Sequence, residues 1–309
     1  MKKEIKVFAP ATVANVVCAY DILGFALNSP GDEVVIREGS KKGIHITKIT
    51  GDNGVIPKDT TKNTASVGII HLLDKLSIKA NLEIEIHKKM PLNSGLGSSA
   101  ASGAAAIFAV NELLNLGLTK HELLESALIS EKVACGVAHA DNIAPSLLGG
   151  FVLIRSYEPL DVIKLPVKTN LFAIVVHPDI EVRTEDSRNV LKKDIKLKDA
   201  VEQWGNISGL VAGLLMDDLD LVGRSLIDNI IEPERSMLIP GFEYVKGKAI
   251  SNGALGCGIS GSGPSMFALA KSESKAKSIG KAMQEGFSDK NIESQAYVSS
   301  VNTEGAVIL

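Results

Sequence analysis

The sequence predicts an α+β protein of two domains. Its 309 residues exceed what a single hydrophobic core usually serves. Segments of strand-like alternation and of helical spacing follow one another irregularly, without the strict alternation that a doubly wound sheet requires. Two glycine-rich stretches, residues 91–102 and 256–265, interrupt these segments in the two halves of the chain. We therefore expect two domains, each contributing one glycine-rich loop.

The first half begins with short strands, recognised by β-branched content and alternation. They are predicted at residues 5–9, 33–37, 44–49 and 82–87. Helical spacing predicts helices at residues 62–76 and 98–116, the second ended by Gly117 in a left-handed turn. Thr119 and Glu122 have the spacing of a capping box, so the next helix should start there and run to about residue 134.

The second half contains more helix than the first. Strands are predicted at residues 151–155 and 171–177, and the charged stretch 157–168 between them is the predicted domain boundary. The domains are thus expected at residues 1–165 and 166–309. Four helices, two strands, a helix and a last strand should follow, at residues 185–192, 198–216, 218–230, 241–252, 254–259, 265–270, 273–287 and 294–301.

Composition narrows the functional class. A hydrophobic content of 45%, a charged content of 22% and a net charge of −3 are typical of a soluble globular protein. Without a basic excess we expect no nucleic-acid partner, and no apolar run is long enough for a membrane span or a signal peptide. Cys18, Cys135 and Cys257 are single and widely spaced, which indicates a reducing compartment. We expect a cytoplasmic protein.

The stretch PLNSGLGSSAAS, residues 91–102, has three interpretations. It fits the dinucleotide pattern GxGxxA, as residues 256–261 fit GxGxxG, but a second capped helix follows where that fold needs a strand and an acidic residue. A purely structural glycine turn would leave Ser98 and Ser99 without a role. A phosphate cradle explains both the glycines and the helix start, because amides there can face an anion. The GKS or GKT of a Walker A loop is absent.

Glu131 has an unusual place in the predicted third helix. It shares a helix face with Leu124, Leu128 and Cys135, at spacings of one apolar stripe. A buried carboxylate is costly unless it is paired or binds a metal. The residues alone leave open a buried ion pair, a glutamate at the edge of the stripe and a Mg²⁺ ligand.

Three segments together resemble the motifs of the GHMP kinases, a family that includes galactokinase, homoserine kinase, mevalonate kinase and phosphomevalonate kinase. PLNSGLGSSAAS resembles the phosphate-binding motif, PATVAN at residues 10–15 the N-terminal motif, and GCGISGSGPS at residues 256–265 the C-terminal motif. The resemblance spans the chain. It implies a first domain folded like the second domain of ribosomal protein S5, a ferredoxin-like second domain, ATP and Mg²⁺ as cofactors, and a homodimer.

The resemblance also implies the residues that bind the nucleotide. Asn63 would lie on the adenine side, and Ser98 and Glu131 would hold Mg²⁺. The loop residues implied to bind ATP are Pro91, Asn93, Ser94, Gly95, Leu96, Gly97, Ser98, Ser99 and Ala100.

The string HADNIAPSLLGG, residues 139–150, bears on the acceptor. On its own, a histidine beside an aspartate is most often structural, and no third ligand nearby supports a zinc site. The string resembles the pattern HxDNxxPxxxGG of the family's homoserine kinases. That resemblance implies phosphorylation of the L-homoserine hydroxyl in threonine biosynthesis, with Asn142 where related kinases carry a basic aspartate. Positioning would then supply most of the rate.

An L-homoserine site needs partners for an ammonium, a carboxylate and a hydroxyl. By resemblance, the partners would be Asn15, Asp21 for the ammonium, His139, Thr184 near the transferred phosphate, and Arg188 and Arg235 for the carboxylate. From the residues alone, each arginine would more often be a surface charge, and only the matching motifs favour carboxylate binding. A kinase for another small alcohol, or a non-catalytic binding protein of this fold, would carry the same three family motifs.

One segment departs from the family pattern. Where the family has Gly-Pro-Gly-Phe-Asp, this chain has Val17-Cys18-Ala19-Tyr20-Asp21. Without glycines, the backbone there must either avoid positive φ angles or carry strain.

Overall fold

The α+β prediction is confirmed by a computed structural model that describes residues 3–136 and 139–309, except the side chains of residues 133–135. The predicted place of the Cys135 side chain beside Glu131 lies outside this description. Two sheets, of seven and four strands, are joined by helices that do not alternate regularly with the strands.

Eleven strands occur in the described part of the chain. They are β1 (Glu4–Ala14), β2 (Leu23–Glu38), β3 (Ile44–Thr50), β4 (Leu82–His87), β5 (Phe151–Tyr157), β6 (Leu160–Leu165), β7 (Phe172–Pro178), β8 (Gly256–Ile259), β9 (Met266–Ala270), β10 (Ser294–Ser300) and β11 (Val307–Ile308).

The same part of the chain has ten α-helices and a short 3₁₀ turn at Ser236–Leu238. The helices are α1 (Thr64–Lys75), α2 (Ser98–Leu113), α3 (Lys120–Cys135), α4 (Ala140–Leu148), α5 (Thr184–Asn189), α6 (Leu197–Met216), α7 (Leu219–Ser225), α8 (Glu232–Arg235), α9 (Phe242–Ser251) and α10 (Glu273–Ser288).

The first sheet is built around the long strand β2. Its strand order is β11-β1-β2-β4-β3, and the start of β2 also pairs with β5, which forms a hairpin with β6. The pairs are antiparallel except β3 with β4. The stretch 157–168, predicted as a charged linker, therefore contains β6, whose side chains alternate too weakly to read as a strand.

The second sheet has the order β10-β7-β9-β8 and is antiparallel throughout. β6 ends at Leu165 and β7 opens the second sheet, while β11, at the end of the chain, returns to pair with β1 of the first sheet. The division into residues 1–165 and 166–309 stays a prediction.

Helix α2 lies in the middle of the first domain's core. It packs against β1, β2, α1, α3 and α4, which is why its sequence is rich in alanine and other small residues. Gly68 of α1 and Gly103 of α2 both face Ser130 of α3, and a Cβ at Gly68 would lie 2.4 Å from the Ser130 Oγ. The glycines let α3 approach closely, and this approach brings the next residue, Glu131, to the start of α2.

Two predicted helix ends are wrong for identifiable reasons. Helix α2 ends at Leu113, because Asn115 at φ 52° makes the left-handed turn and the Leu116 N–H donates to the Asn111 carbonyl. Gly117 therefore lies beyond the end of the helix. The predicted helix 218–230 stops at Ser225, because the side chain of Asp228 accepts backbone N–H groups of the residues that start α8.

Other elements agree in kind but differ in length. The capping box is present: the Thr119 hydroxyl accepts from the Glu122 N–H, and Glu122 accepts from the Thr119 N–H. Helix α1 starts at Thr64 after the N-cap Asn63. Helix α4 was not predicted, because it is short and contains Pro145. Among the described residues, no helix has the length and hydropathy of a membrane span.

Candidate active site

A cavity of about 490 Å³ collects the predicted site residues. With the exception of Pro91, every residue that the motifs implied in binding or catalysis lines it, although these residues come from several separate segments of the chain. Pro91 lies outside the lining, and its carbonyl accepts a hydrogen bond of 2.8 Å from the Ser94 hydroxyl, which orders the loop. The roles of the lining residues stay predictions.

The loop before α2 is fixed by the two other motifs. The Thr12 N–H donates to the Leu96 carbonyl at 3.0 Å, and the Ser260 hydroxyl donates to the Gly95 carbonyl at 2.8 Å. Gly95 and Gly97 have φ angles of 75° and 68°; a Cβ at Gly97 would lie 2.1 Å from the Thr12 Oγ1. Both glycines are thus required by backbone conformation and by close packing.

Helix α2 presents its N-terminus to the cavity. Its N-cap, Gly97, has no side chain to accept the first backbone N–H groups, and the first turn contains no acidic residue. Ser98, Ser99 and Ala100 line the cavity at that end. The free amides and the positive end of the helix dipole favour an anion.

A buried ion pair lies beneath this loop. The fully buried ammonium of Lys88 pairs with the carboxylate of Asp32, and donates to the Ser98 carbonyl at 2.6 Å and to the Ser102 hydroxyl at 2.8 Å. Asp32 in turn accepts from the Ser98 hydroxyl at 2.8 Å and from the Lys89 N–H at 2.8 Å. The pair ties the end of β4 and strand β2 to the first turn of α2.

Glu131 faces the same end of the cavity. Its side chain is 3% exposed, and burial raises its pKa to about 7, while a hydrogen bond from Ser99 and the charge of Lys88 act in the opposite direction. A buried carboxylate next to a serine-rich anion loop is the donor set that fits a hard cation such as Mg²⁺. The described residues contain no cluster of three or more His, Cys, Asp and Glu side chains placed for a metal.

The segment without the family's glycines is strained. Val16 and Val17, both β-branched, have φ angles of 37° and 62°, where such residues cost about 1–3 kcal/mol each. Of the two alternatives that the sequence left, the backbone carries the strain. The loop is held at its ends, because the Asn15 amide donates to the Gly261 carbonyl at 2.8 Å and accepts from the Asp21 N–H at 2.9 Å.

Charged side chains also line the cavity. Arg188 donates to both carboxylate oxygens of Asp21 at 3.1 and 3.2 Å, and its Nη2 lies 2.6 Å from the His139 Nε2. Burial, followed by the Arg188 charge, lowers the pKa of His139, which favours a neutral ring that accepts from Arg188. Arg188 and Asp21 thus neutralise one another.

Arg235 is buried beside them. It donates to the backbone carbonyls of Ser187 and Gly261 at 2.9 and 3.1 Å, and its guanidinium carbon lies 4.9 Å from the centre of the Tyr20 ring. Thr184 is 3.3 Å from the Ser262 hydroxyl, at the wall formed by the C-terminal motif. Two arginines with fixed directions suit a bidentate anion such as a carboxylate.

Helix α4 places Asp141 and Asn142 in the lining of the cavity. The Asn142 Oδ1 accepts a hydrogen bond of 2.8 Å from the Thr12 hydroxyl, directly beside Gly97. Asp141 is fully buried, and its pKa is raised to about 8, first by burial and then by the negative charge of Asp21. A neutral carboxyl at this place can donate a hydrogen bond to an oxygen in the cavity.

The part of the cavity around Asn63 is more apolar. Val55, Ile56 and Pro57 line the cavity next to Asn63. The Asn63 amide donates to the Pro57 carbonyl at 2.8 Å and caps α1 through the Ala65 N–H at 2.9 Å. Asn63 therefore fixes an aliphatic wall against the helix, and a direct contact of Asn63 with adenine stays a prediction.

Sequence reasoning missed Lys88, Asp32 and Asp141. Lys88 could have been found, because it continues the alternation of the buried residues Leu82, Ile84 and Ile86 along β4. Asp141 stands inside the quoted motif next to Asn142. Asp32 has no such signal, because only the fold brings it to Lys88.

Two family models match the chain. They describe the N-terminal domain of GHMP kinases, over residues 63–150, and the C-terminal region of GHMP kinases, over residues 210–289.

Full-length relatives agree with these models. The chain is 50% identical to a homoserine kinase of Chlorobium phaeovibrioides, with 99% of this chain and 100% of the relative covered. It is similar to the crystal structure of homoserine kinase from Cytophaga hutchinsonii, with a TM-score of 0.98, 58% identity, and 100% and 98% of the two chains covered. A mevalonate kinase of L. major shares the fold at a TM-score of 0.74 and 18% identity, with 98% of each chain covered.

Replacing Glu131 by glutamine should make the metal-free protein more stable. Because the folded-state pKa of Glu131 lies near 7, above its unfolded value, the wild-type protein loses stability as pH rises toward and through 7. In EDTA, Glu131→Gln should therefore have a higher Tm than wild type at pH 8, and the difference should shrink at pH 5.5. Thermal unfolding at both pH values measures this, and a variant of lower Tm at pH 8 would contradict it.

Proposed function

The chain belongs to the homoserine kinases of the GHMP kinase family, and we propose that its cavity performs their reaction with the residues described above. ATP would lie with its phosphates at the start of α2, and L-homoserine would lie against the arginines. The observation that carries the proposal is that one cavity is lined both by the uncapped start of α2, which suits an anion, and by paired charges of both signs.

The phosphates would bind to the backbone amides of residues 97–100. Lys88, which is paired with Asp32 beneath the loop, would hold the first turn of α2 in place through its bond to the Ser98 carbonyl. The triphosphate would meet a prearranged set of donors, which is how phosphoryl transferases obtain most of their rate. The adenine would pack against the aliphatic wall of Val55, Ile56 and Pro57.

Ser98 and Glu131 would hold Mg²⁺. When bound, the ion would neutralise part of the negative charge of the phosphates. Its charge would also lower the pKa of Glu131, which lies near 7 without it, and so favour the ionised carboxylate.

The acceptor end would recognise a zwitterion. The ammonium of L-homoserine would pair with the Asp21 carboxylate, and the carboxylate of L-homoserine would pair with Arg188 and Arg235. A zwitterion thereby replaces one internal ion pair by two intermolecular contacts of opposite sign, so neither side chain is left unpaired. A ligand with only one of the two charges would leave a partly buried charge uncompensated.

The hydroxyl would lie near Asn142 and Asp141. The Asn142 amide, held by Thr12, has no basic group to offer, so it orients the hydroxyl. Burial favours the protonated form of the Asp141 carboxyl near neutral pH, and a protonated carboxyl is a weak base. In-line placement of the hydroxyl against the γ-phosphate would supply the rate, and Thr184 would approach the transferred group.

A homodimer and a cytoplasmic location belong to the same proposal, from the family resemblance and the cysteine pattern. A kinase for another small alcohol is the second candidate, and the Arg188–Asp21 pair disfavours it, because an uncharged alcohol would use neither charge of that pair.

An ATP-consumption assay with Mg²⁺ and a panel of acceptors tests the function. We expect turnover with L-homoserine, and at most traces with threonine, serine, mevalonate, galactose and shikimate. Turnover with mevalonate but not with L-homoserine would refute the assignment.

If Asp21 pairs with the ammonium of the ligand, Asp21→Asn should change the ligand preference. The variant loses the ammonium partner, so L-homoserine affinity should fall at least about tenfold, the size of one lost charged contact. Affinity for 4-hydroxybutanoate, which lacks the ammonium, should be unchanged or higher, because Arg188 no longer shares its charge with Asp21. Calorimetry with both ligands measures the two effects.

Asp161→Asn is the matched control, because it breaks an exposed aspartate–arginine pair, with Arg155, in the β5–β6 hairpin. It should bind both ligands as the wild type does. An equal loss of both ligands in Asp21→Asn would show that Asp21 acts only as a structural support.

A further inference from the structure

Gln203 is a buried amide that joins three segments. It lies on α6 and is 6% exposed. Its Nε2 donates to the Cys18 carbonyl at 2.7 Å and to the Asp228 carboxylate at 3.0 Å, and its Oε1 accepts from the Asn229 N–H at 3.2 Å. Both the nitrogen and the oxygen of the amide are therefore bonded, and all three bonds connect α6 to other segments of the chain.

The first of these bonds holds the strained loop. Cys18 follows Val16 and Val17, whose φ angles of 37° and 62° are unfavourable for β-branched residues. The Cys18 carbonyl is directed into α6 by Gln203. Asn15 and Asp21, at the two ends of the loop, both line the cavity.

The second bond fixes the helix that carries Arg235. Asp228 accepts three further hydrogen bonds, from the N–H groups of Ile230, Ile231 and Glu232, at 2.9 to 3.0 Å. These bonds start α8, and Arg235 is the last residue of that short helix. The position of Arg235 thus depends on where Gln203 holds Asp228.

Packing on the other side joins the same two segments. A Cβ at Gly258 would lie 2.9 Å from the Val17 Cγ2 and 2.8 Å from the Glu232 Oε2. The strained loop and the start of α8 therefore both pack against Gly258, where a side chain would not fit.

We propose that Gln203 and Asp228 form a positioning pair. The pair sets the distance between the loop that carries Asp21, for the ammonium, and Arg235, for the carboxylate of the acceptor. The inference rests on the proposed function. Neither residue lines the large cavity, so both act through Asn15, Asp21 and Arg235. The phosphate loop is held by other contacts, from Thr12, Lys88 and Ser260. The pair should therefore control affinity for L-homoserine and leave ATP binding unchanged.

Gln203→Glu tests the pair with almost no change of volume. The carboxylate loses both donors and faces two acceptors, the Cys18 carbonyl and Asp228. At pH 8 the KM for L-homoserine should rise at least about tenfold and the KM for ATP should stay within about twofold. At pH 6 the homoserine defect should be smaller, because a protonated carboxyl regains one donor.

Gln284→Glu is the matched control. Gln284 also lies on a helix, α10, and its Nε2 donates to a backbone carbonyl, that of Ser294, at 3.0 Å, but it does not line the cavity. It should leave both KM values as in wild type. Gln203→Met, which has no donor and similar volume, is the second variant and should raise the homoserine KM at both pH values.

The outcomes separate the two claims. If wild type does not phosphorylate L-homoserine, the proposed function fails. If wild type does, and Gln203→Glu keeps its homoserine KM or raises both KM values equally, the positioning role is overturned. Failure of both Gln203 variants to fold would assign the pair to stability and overturn the role as well.

Discussion

The ion pair between Lys88 and Asp32 is the interaction on which the glycine-rich loop and the start of α2 depend. Both side chains are almost completely buried, so neither charge could remain there without the other. Their hydrogen bonds reach the carbonyl and the hydroxyl of Ser98 and the hydroxyl of Ser102, all at the start of α2. The pair therefore sets where the helix begins and which way its free amides face.

The loop that carries Asn15 and Asp21 is held by a different constraint. Two valines in left-handed conformation raise the free energy of the loop that carries Asn15 and Asp21, and bonds from Asn15, Gln203 and Tyr157 hold the loop in place. Strain of this kind persists only where surrounding contacts over-determine the backbone. As a result, the Asp21 carboxylate is held in contact with Arg188 and close to Arg235. The cavity is thus rigid at both ends, which suits a reaction whose rate comes from placing two substrates.

The motifs allowed most of the site to be predicted, and the fold supplied the rest. Residues that stand in contiguous motifs, such as Gly97 and Asn142, line the cavity as expected. Asp32 and Gln203 could not be predicted, because their partners are distant in sequence and neither belongs to a motif. Long strands were underestimated for a related reason: β2 bends to pair with β1, β4 and β5, so its burial does not alternate regularly. The α+β class depended only on local patterns and was predictable.

The affinity of the double variant Asp32→Asn with Lys88→Met for Mg²⁺–ATP tests the account most directly. Removing both charges together avoids an unpaired buried ion, so the protein should still fold. Calorimetry should then show nucleotide affinity reduced at least about tenfold, since the start of α2 loses the hydrogen bonds and the ion pair that hold it in place. A folded double variant that binds Mg²⁺–ATP as tightly as wild type would contradict the central place given to this ion pair.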